Sequence, residues 1–205
     1  VAEGCVGAGT GMRCYEFKAG IGTASRVLPE EQGGYTVGVL VNANGGRREQ
    51  LRIDGVPVGE EITDLKPEWH RDGSFIIVVA TDAPLVHRQL LQLAKRGAFG
   101  LARTGTPSTH SSGDFVIAFS TANVIPGDTE ESTFTFKMLS NDRMDPLYKA
   151  VIEATEESVI NAMTAAVTTV GINGNTIHAI PLDRLQKIMQ KYSRLASEFE
   201  SVEHR

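Results

Sequence analysis

The chain has 205 residues, enough to bury the core of one domain, and its composition is ordinary for a globular protein. Its formal net charge is −5 and its basic residues are scattered, which argues against nucleic acid or an anionic membrane surface as the main partner. No apolar stretch approaches the ~20 residues that span a bilayer, and Cys5 and Cys14 fit neither a disulfide framework nor a zinc spacing.

The first half of the chain contains two predicted strands separated by a polar region. Residues 35–41 (YTVGVLV) predict a strand that ends at the turn signal of residues 42–46 (NANGG). Residues 47–73 are polar and contain several Gly and Pro, which predicts loops with short β pieces around residues 51–58. The uninterrupted apolar run of residues 75–80 (FIIVVA) is typical of a strand buried on both faces.

Helices dominate the second half of the chain. Apolar residues at helical spacing predict a helix over residues 83–103, and further strands are predicted over residues 114–121 and 133–138. Asp145-Pro146 begins a long helix whose apolar face extends to Val170, and Asp183 caps a final helix. Because strands and helices come in blocks, sheets layered with helices, an α+β fold, are favoured over a doubly wound sheet.

The junction between Gly73 and Ser74 stands immediately before the buried strand. A hydroxyl that attacks the carbonyl just before it needs a strained backbone, which Gly tolerates, and a carbonyl that no side chain shields. After cleavage, Ser74 would carry its own base, because a free α-amino group titrates near ~8 and can accept the hydroxyl proton. Gly73 and Ser74 are therefore a candidate site of self-cleavage, although a Gly-Ser pair before a strand is more often a plain turn.

The sequence around this junction resembles the self-processing L-aminopeptidase/D-esterase family, which includes D-Ala esterase/amidases and β-peptidyl aminopeptidases. The resemblance covers nearly the whole chain. It is carried by VAEGCVGAGTGM (1–12), YEFKAGIGTASR (15–26), GGYTVGVLVNAN (33–44), LRIDGVPVG (51–59), DGSFIIVVATDAPL (72–85), GLARTG (100–105), SGDFVIAFSTAN (112–123), SNDRMDPLYKAVIEATEESVINA (140–162) and GNTIHAIPLDRL (174–185).

The resemblance implies a four-layer αββα sandwich, similar to the N-terminal-nucleophile hydrolases but with different connectivity. It implies one catalytic domain over residues 1–205, cleaved into the end of an α subunit (1–73) and a β subunit (74–205). Family members are longer at the amino terminus. We therefore expect part of the α region, including a Tyr that lines the family's active site, to lie upstream of Val1.

The resemblance also assigns partners to Ser74. Asn44 matches the family's oxyanion donor, with Asn42 as the alternative, and Ser112 and Asp114 match a Ser-x-acid pair that orients the nucleophile. Asp114 stands where members have Glu, and its shorter side chain changes the reach to Ser74. The Gly-rich segment fits no phosphate-loop spacing, and we predict that Gly9 and Gly11 bring flexible backbone close to the substrate or to the nucleophile.

The expected activity is hydrolysis that releases the N-terminal residue of short peptides, amino-acid amides or esters, with β-peptides left open. No cofactor or metal is expected, because the five histidines show no ligand spacing. The resemblance implies a homo-oligomer, and a cytoplasmic location is expected, with the periplasm as the alternative. Two rivals stay open: an ornithine acetyltransferase-like enzyme, which would use Thr rather than Ser74, and a non-catalytic domain that is never processed.

Overall fold

The computed structural model describes residues 1–68 and 73–195 of the chain. The strands in these residues are β1 (Arg13–Cys14), β2 (Phe17–Lys18), β3 (Ile21–Val27), β4 (Thr36–Asn44), β5 (Ser74–Thr81), β6 (Phe115–Ser120), β7 (Thr169–Val170) and β8 (Thr176–Ile177). The α-helices are α1 (Val58–Glu61), α2 (His87–Arg103), α3 (Asp145–Thr164) and α4 (Leu182–Lys191).

A four-stranded sheet in the order β3-β4-β5-β6 forms the centre of the molecule. Strands β3, β4 and β5 run antiparallel, whereas β6 is parallel to β5 and is reached through α2. In this register the last residue of β4, Asn44, lies opposite the first residue of β5, Ser74. The sheet therefore places the predicted nucleophile and the predicted oxyanion donor on neighbouring inner strands, at the same end.

Helices α2 and α3 cover one face of the sheet. The residues that point toward them from β4 and β5, such as Val41 and Ile77, are fully buried, and each contributes about 1.5–3 kcal/mol of burial free energy. The helices approach closely because small residues leave room for them: a Cβ on Gly100 would lie 2.4 Å from the Ile152 carbonyl oxygen. One face of the sheet and this helix layer together form the core.

The opposite face of the sheet is open among the residues that the structure describes. Ile76, Phe115, Ile117 and Phe119 point to this face and are 44–58% exposed. The strand predicted over residues 75–80 is confirmed. Its predicted burial on both faces is wrong, because Ile76 lies on the open face and is exposed. The side chains of β5 alternate between the helix layer and the open face, as the period of a strand requires.

Several element boundaries differ from the sequence expectations. Residues 133–138 form no strand, because the segment is exposed and no strand pairs with it among the described residues. Strand β3 had no sequence signal beyond a mixed polar run. Strand β4 continues through the expected turn as far as Asn44, and α3 ends at Thr164 instead of extending to Val170.

Candidate active site

Ser74 begins β5 in a half-buried position between two neighbouring strands. Its Oγ accepts a hydrogen bond of 2.9 Å from the backbone N–H of Gly113. This bond orients the hydroxyl oxygen without occupying its proton, which stays available for transfer to a base. A Cβ on Gly113 would lie in ordinary contact with Ser74 Oγ, at 3.6 Å.

Gly73 is seated tightly against the end of β4. A Cβ at this position would lie 2.0 Å from the Asn44 carbonyl oxygen and 3.1 Å from Asn44 Nδ2. The first distance is far below any real contact, so a side chain could not be added without moving the junction. The absence of a side chain at Gly73 is thus a steric requirement of this junction.

Ser112 and Asp114 lie next to Ser74 on the side of β6. We define the β6 side as Ser108, Ser112, Gly113 and Asp114. Ser112 Oγ is 3.1 Å from the carbonyl oxygen of Gly73 and 2.8 Å from Asp114 Oδ1. One hydroxyl proton serves only one of these acceptors at a time. Negative charge developing on the Gly73 oxygen would therefore draw the Ser112 proton toward the junction.

The Asp114 carboxylate ties the β6 side to the strand that carries Ser74. Its Oδ1 accepts a 2.9 Å hydrogen bond from the backbone N–H of Phe75, the residue after the nucleophile. Its Oδ2 accepts a hydrogen bond from the Ser108 hydroxyl. The Asp side chain, where family members were expected to have Glu, thus reaches β5 next to Ser74.

Asn44 is the centre of the β4 side, which we define as Arg13, Lys18 and Asn44. The Arg13 backbone N–H donates to Asn44 Oδ1 at 3.4 Å. With Oδ1 accepting from the Arg13 N–H, the Nδ2 group lies near Gly73, 3.1 Å from the position that a Cβ of that residue would take. Asn42 pairs with Ile76, two residues farther along β5, and its buried Oδ1 has no hydrogen-bond partner. Asn44 is therefore the nearer of the two to Ser74.

A cavity of about 760 Å³ opens beside Asn44 and is large enough for a short peptide or an amino-acid derivative. It is lined by Gly11, Arg13 and Lys18 on one side and by the hairpin of β7 and β8 on the other. Gly11 thus lies in the cavity wall, and the substrate contact predicted for it stays a prediction. Gly9 lies behind the cavity: it is buried, and a Cβ there would lie 2.7 Å from the Ile21 nitrogen.

Some residues that organise the site carried no sequence signal. Ser108 supports the Asp114 carboxylate, and Lys18 fixes the Gly-rich loop. Buried Tyr15 adopts a left-handed φ of 51° and joins its hydroxyl to Thr104 Oγ1 at 2.5 Å, which links the β1–β2 hairpin to the end of α2. Burial raises the pKa of the Tyr15 hydroxyl far above its usual value, so this group acts as a structural hydrogen-bond partner.

The described ranges, 1–68 and 73–195, lack two features of other protein classes. These ranges contain no cluster of three or more His, Cys, Asp or Glu residues that could hold a metal ion. They also contain no helix that is long and apolar enough to cross a membrane.

The sequence pattern of peptidase family S58 matches residues 1–177. The chain belongs to this family. Among curated relatives of this S58 chain, a β-peptidyl aminopeptidase of Sphingosinicella microcystinivorans is 43% identical over 212 aligned residues, which cover 96% of the chain and 54% of that enzyme. A β-peptidyl aminopeptidase of Sphingosinicella xenopeptidilytica is also 43% identical and covers 93% of the chain and 51% of the relative.

Solved structures confirm the fold of this S58 chain. The L-aminopeptidase D-Ala-esterase/amidase of Ochrobactrum anthropi superposes with a TM-score of 0.88 at 44% identity, covering 96% of the chain and 54% of that structure. It is described as a variant of the Ntn hydrolase fold and a prototype of the serine aminopeptidases. The PH0078 protein of Pyrococcus horikoshii gives 0.87 at 48% identity, covering 95% and 54%. The predicted α+β fold of the Ntn hydrolase type is thus confirmed, and the chain spans about half the length of these relatives.

Proposed function

We propose that the protein is a serine aminopeptidase that cleaves its own chain between Gly73 and Ser74 and then uses Ser74 as an N-terminal nucleophile. The observation that carries the proposal is the arrangement around one peptide bond. Ser74 Oγ is oriented by the Gly113 N–H, the Gly73 carbonyl oxygen faces the Ser112 hydroxyl, and the Asn44 amide lies near Gly73. Hydroxyl, scissile carbonyl and hydrogen-bond donors therefore meet at the same junction.

Self-cleavage begins with attack of Ser74 Oγ on the Gly73 carbonyl carbon. The carbonyl oxygen gains negative charge, and donors directed at that charge stabilise the transition state. Ser112 Oγ is one such donor at 3.1 Å. Collapse of the intermediate expels the Ser74 nitrogen, which takes up the proton that the hydroxyl has lost, and leaves an ester on Oγ. Water hydrolyses this ester to give a Gly73 carboxylate and a free Ser74 amine.

In the cleaved protein the Ser74 amine serves as general base for its own hydroxyl. A group of this kind titrates near ~8, close to the operating pH, which favours proton transfer. The oxygen attacks the carbonyl of a substrate's N-terminal residue, Asn44 stabilises the oxyanion, and the amine passes the proton to the leaving group. Asp114 and Ser112 hold the amine in its reactive orientation.

We further propose the substrates and the assembly of the protein. The substrates are short peptides, amino-acid amides or esters, and the relatives named as β-peptidyl aminopeptidases support inclusion of β-peptides. The α and β fragments stay associated after cleavage, and the protein forms a homo-oligomer. The cavity beside Asn44 provides the space for the substrate.

The test is expression of the full-length protein followed by intact-mass measurement and hydrolysis of alanyl p-nitroanilide. We expect two fragments divided between Gly73 and Ser74, together with release of p-nitroaniline. The Ser74→Ala variant should stay uncut and inactive, because the nucleophile of both reactions is removed, whereas the Ser111→Ala variant should behave as wild type. A wild-type protein that remains one chain and hydrolyses no aminoacyl substrate would overturn the proposal.

A further inference from the structure

Lys18 is a buried lysine on β2 that lines the cavity beside Asn44. Only 2% of the residue is exposed. Its Nζ donates to the carbonyl oxygens of Gly9 at 3.2 Å, Met12 at 2.7 Å and Ala19 at 2.6 Å. An ammonium group has three N–H donors, so each can be used on a main-chain carbonyl. Lys18 thus fixes the loop of residues 9–12 that forms one wall of the cavity.

Burial of the charged Lys18 ammonium costs desolvation free energy at this position. Burial lowers the pKa of the Lys18 ammonium below its usual value, because the charged form loses its hydration. A methionine of similar length would fill the same space without this desolvation cost. The three carbonyl contacts favour the charged form, and the ammonium does more here than fill volume.

One peptide unit joins Lys18 to Asn44. The Met12 carbonyl oxygen accepts from Lys18 Nζ, and the N–H on the other side of that same planar peptide, the N–H of Arg13, donates to Asn44 Oδ1. An ammonium on the carbonyl polarises the peptide and strengthens its N–H as a donor. It also fixes the plane of the peptide, and therefore the direction in which Asn44 Oδ1 is held.

We propose that Lys18 is a positioning residue for the oxyanion donor: through the peptide between Met12 and Arg13 it holds the Asn44 amide with Nδ2 directed at the reacting carbonyl. The inference rests on the proposed function, because it concerns the same acyl-transfer site. Its effect is exerted on the transition state, in which the oxyanion needs a donor at a fixed position. The oxyanion contact itself contributes little to substrate binding in the ground state.

The variant Lys18→Met in the full-length protein tests this role. We expect kcat for alanyl p-nitroanilide to fall about 10-fold, whereas any loosening of the loop of residues 9–12 changes KM. The effect is smaller than the roughly 100- to 1000-fold loss on removing an oxyanion donor, because Asn44 is still present but free to turn. Lys187→Met on α4 is the matched control: Lys187 is exposed, so its loss should leave kcat unchanged.

A double-mutant cycle separates positioning from a general loss of structure. In an Asn44→Ala background the donor is gone, so Lys18→Met should lower kcat no further. A tenfold loss in both backgrounds, or a loss that appears in KM alone, would overturn the inference. If Lys18→Met is too unstable to purify, Lys18→Gln, which keeps N–H donors without the charge, takes its place in the same cycle.

The outcomes distinguish this inference from the proposed function. Wild-type protein without aminopeptidase activity contradicts the proposed function, and the Lys18 inference falls with it. Wild-type protein that is active, with a Lys18→Met variant that retains full kcat, contradicts the Lys18 inference alone.

Discussion

The two sides of Ser74 hold their groups by different means. On the β4 side, Asn44 stands at the end of an inner strand, and main-chain groups fixed by the buried Lys18 hold its amide. On the β6 side, Ser112 and Asp114 precede an edge strand, and they are joined by bonds between side chains in a half-exposed loop. The β4 side is therefore held by buried groups, whereas the β6 side is held by half-exposed ones.

Under the proposed function, this difference indicates that the two sides contribute mainly to different reactions. A donor fixed by buried backbone suits an oxyanion that forms at the same point in every catalytic cycle. A carboxylate and the hydroxyl that donates to it can adjust when an amide nitrogen becomes a free amine. We therefore expect variants of the β4 side to affect substrate hydrolysis most, and variants of the β6 side to affect self-cleavage most.

Among the residues on the two sides of Ser74, the largest expected effect belongs to Asn44→Ala. Loss of its N–H donor should lower kcat for aminoacyl p-nitroanilides by about 100- to 1000-fold, because one oxyanion donor contributes roughly 3–4 kcal/mol in the transition state. The measurement is steady-state hydrolysis by the cleaved fraction of the full-length protein.

Asn42→Ala is the matched control for Asn44→Ala, since Asn42 lies on the same strand with its Oδ1 unpaired. We expect it to leave kcat nearly unchanged. If Asn42→Ala instead gave the large loss and Asn44→Ala a small one, the oxyanion role would pass to Asn42.

Asp114→Asn should have the next largest effect, and it should act on cleavage first. The amide oxygen can still accept from the Phe75 N–H, but the negative charge that holds the Ser112 and Ser108 hydroxyls is lost. We expect self-cleavage to slow by about 100-fold, since hydrogen bonds to a charged group are worth roughly 1.5–3 kcal/mol each. The measurement is the fraction of uncut chain over time by intact mass. Cleavage at the wild-type rate would remove Asp114 from the site.

The smallest effect is expected for Ser112→Ala. It removes one neutral donor at 3.1 Å from the Gly73 oxygen, so cleavage should slow by about 10-fold, in line with the roughly 1 kcal/mol of a neutral hydrogen bond. Ser111→Ala, at the exposed neighbouring position, is the control for the same time course. A greater loss in hydrolysis by cleaved protein than in cleavage itself would contradict the proposed division between the two sides.

The sequence predicts the parts of this molecule that depend on local patterns. The run of β-branched residues in β5 and the apolar spacing of α2 lead to elements within a few residues of those observed. Residues 133–138 show the limit of such patterns: the segment alternates like a strand, but an exposed strand needs a neighbour to pair with, and sequence does not provide one. The prediction that β5 is buried on both faces was wrong for a similar reason, because burial depends on what packs against the sheet.

The site divides in the same way. Ser74, Asn44, Ser112 and Asp114 were predicted through a family resemblance, and the structure brings all four together. The bond from Arg13 to Asn44 spans 31 positions of the chain, and no local pattern of charge or apolarity reports it. Lys18 was missed because a buried ammonium that serves main-chain carbonyls looks, in the sequence, like any solvated lysine.

The close packing of Gly73 against Asn44 has a consequence for the proposed self-cleavage. After cleavage between Gly73 and Ser74, the new carboxylate would begin in the position of a product's acyl group, next to Asn44. Under the proposed function it belongs to a fragment that stays associated, so it would act as a tethered competitor with a high effective concentration, whatever the amount of free substrate. Cleavage of the Gly73–Ser74 bond and departure of the Gly73 carboxylate from the acyl position would then be separate events. The first substrate could enter only after the second.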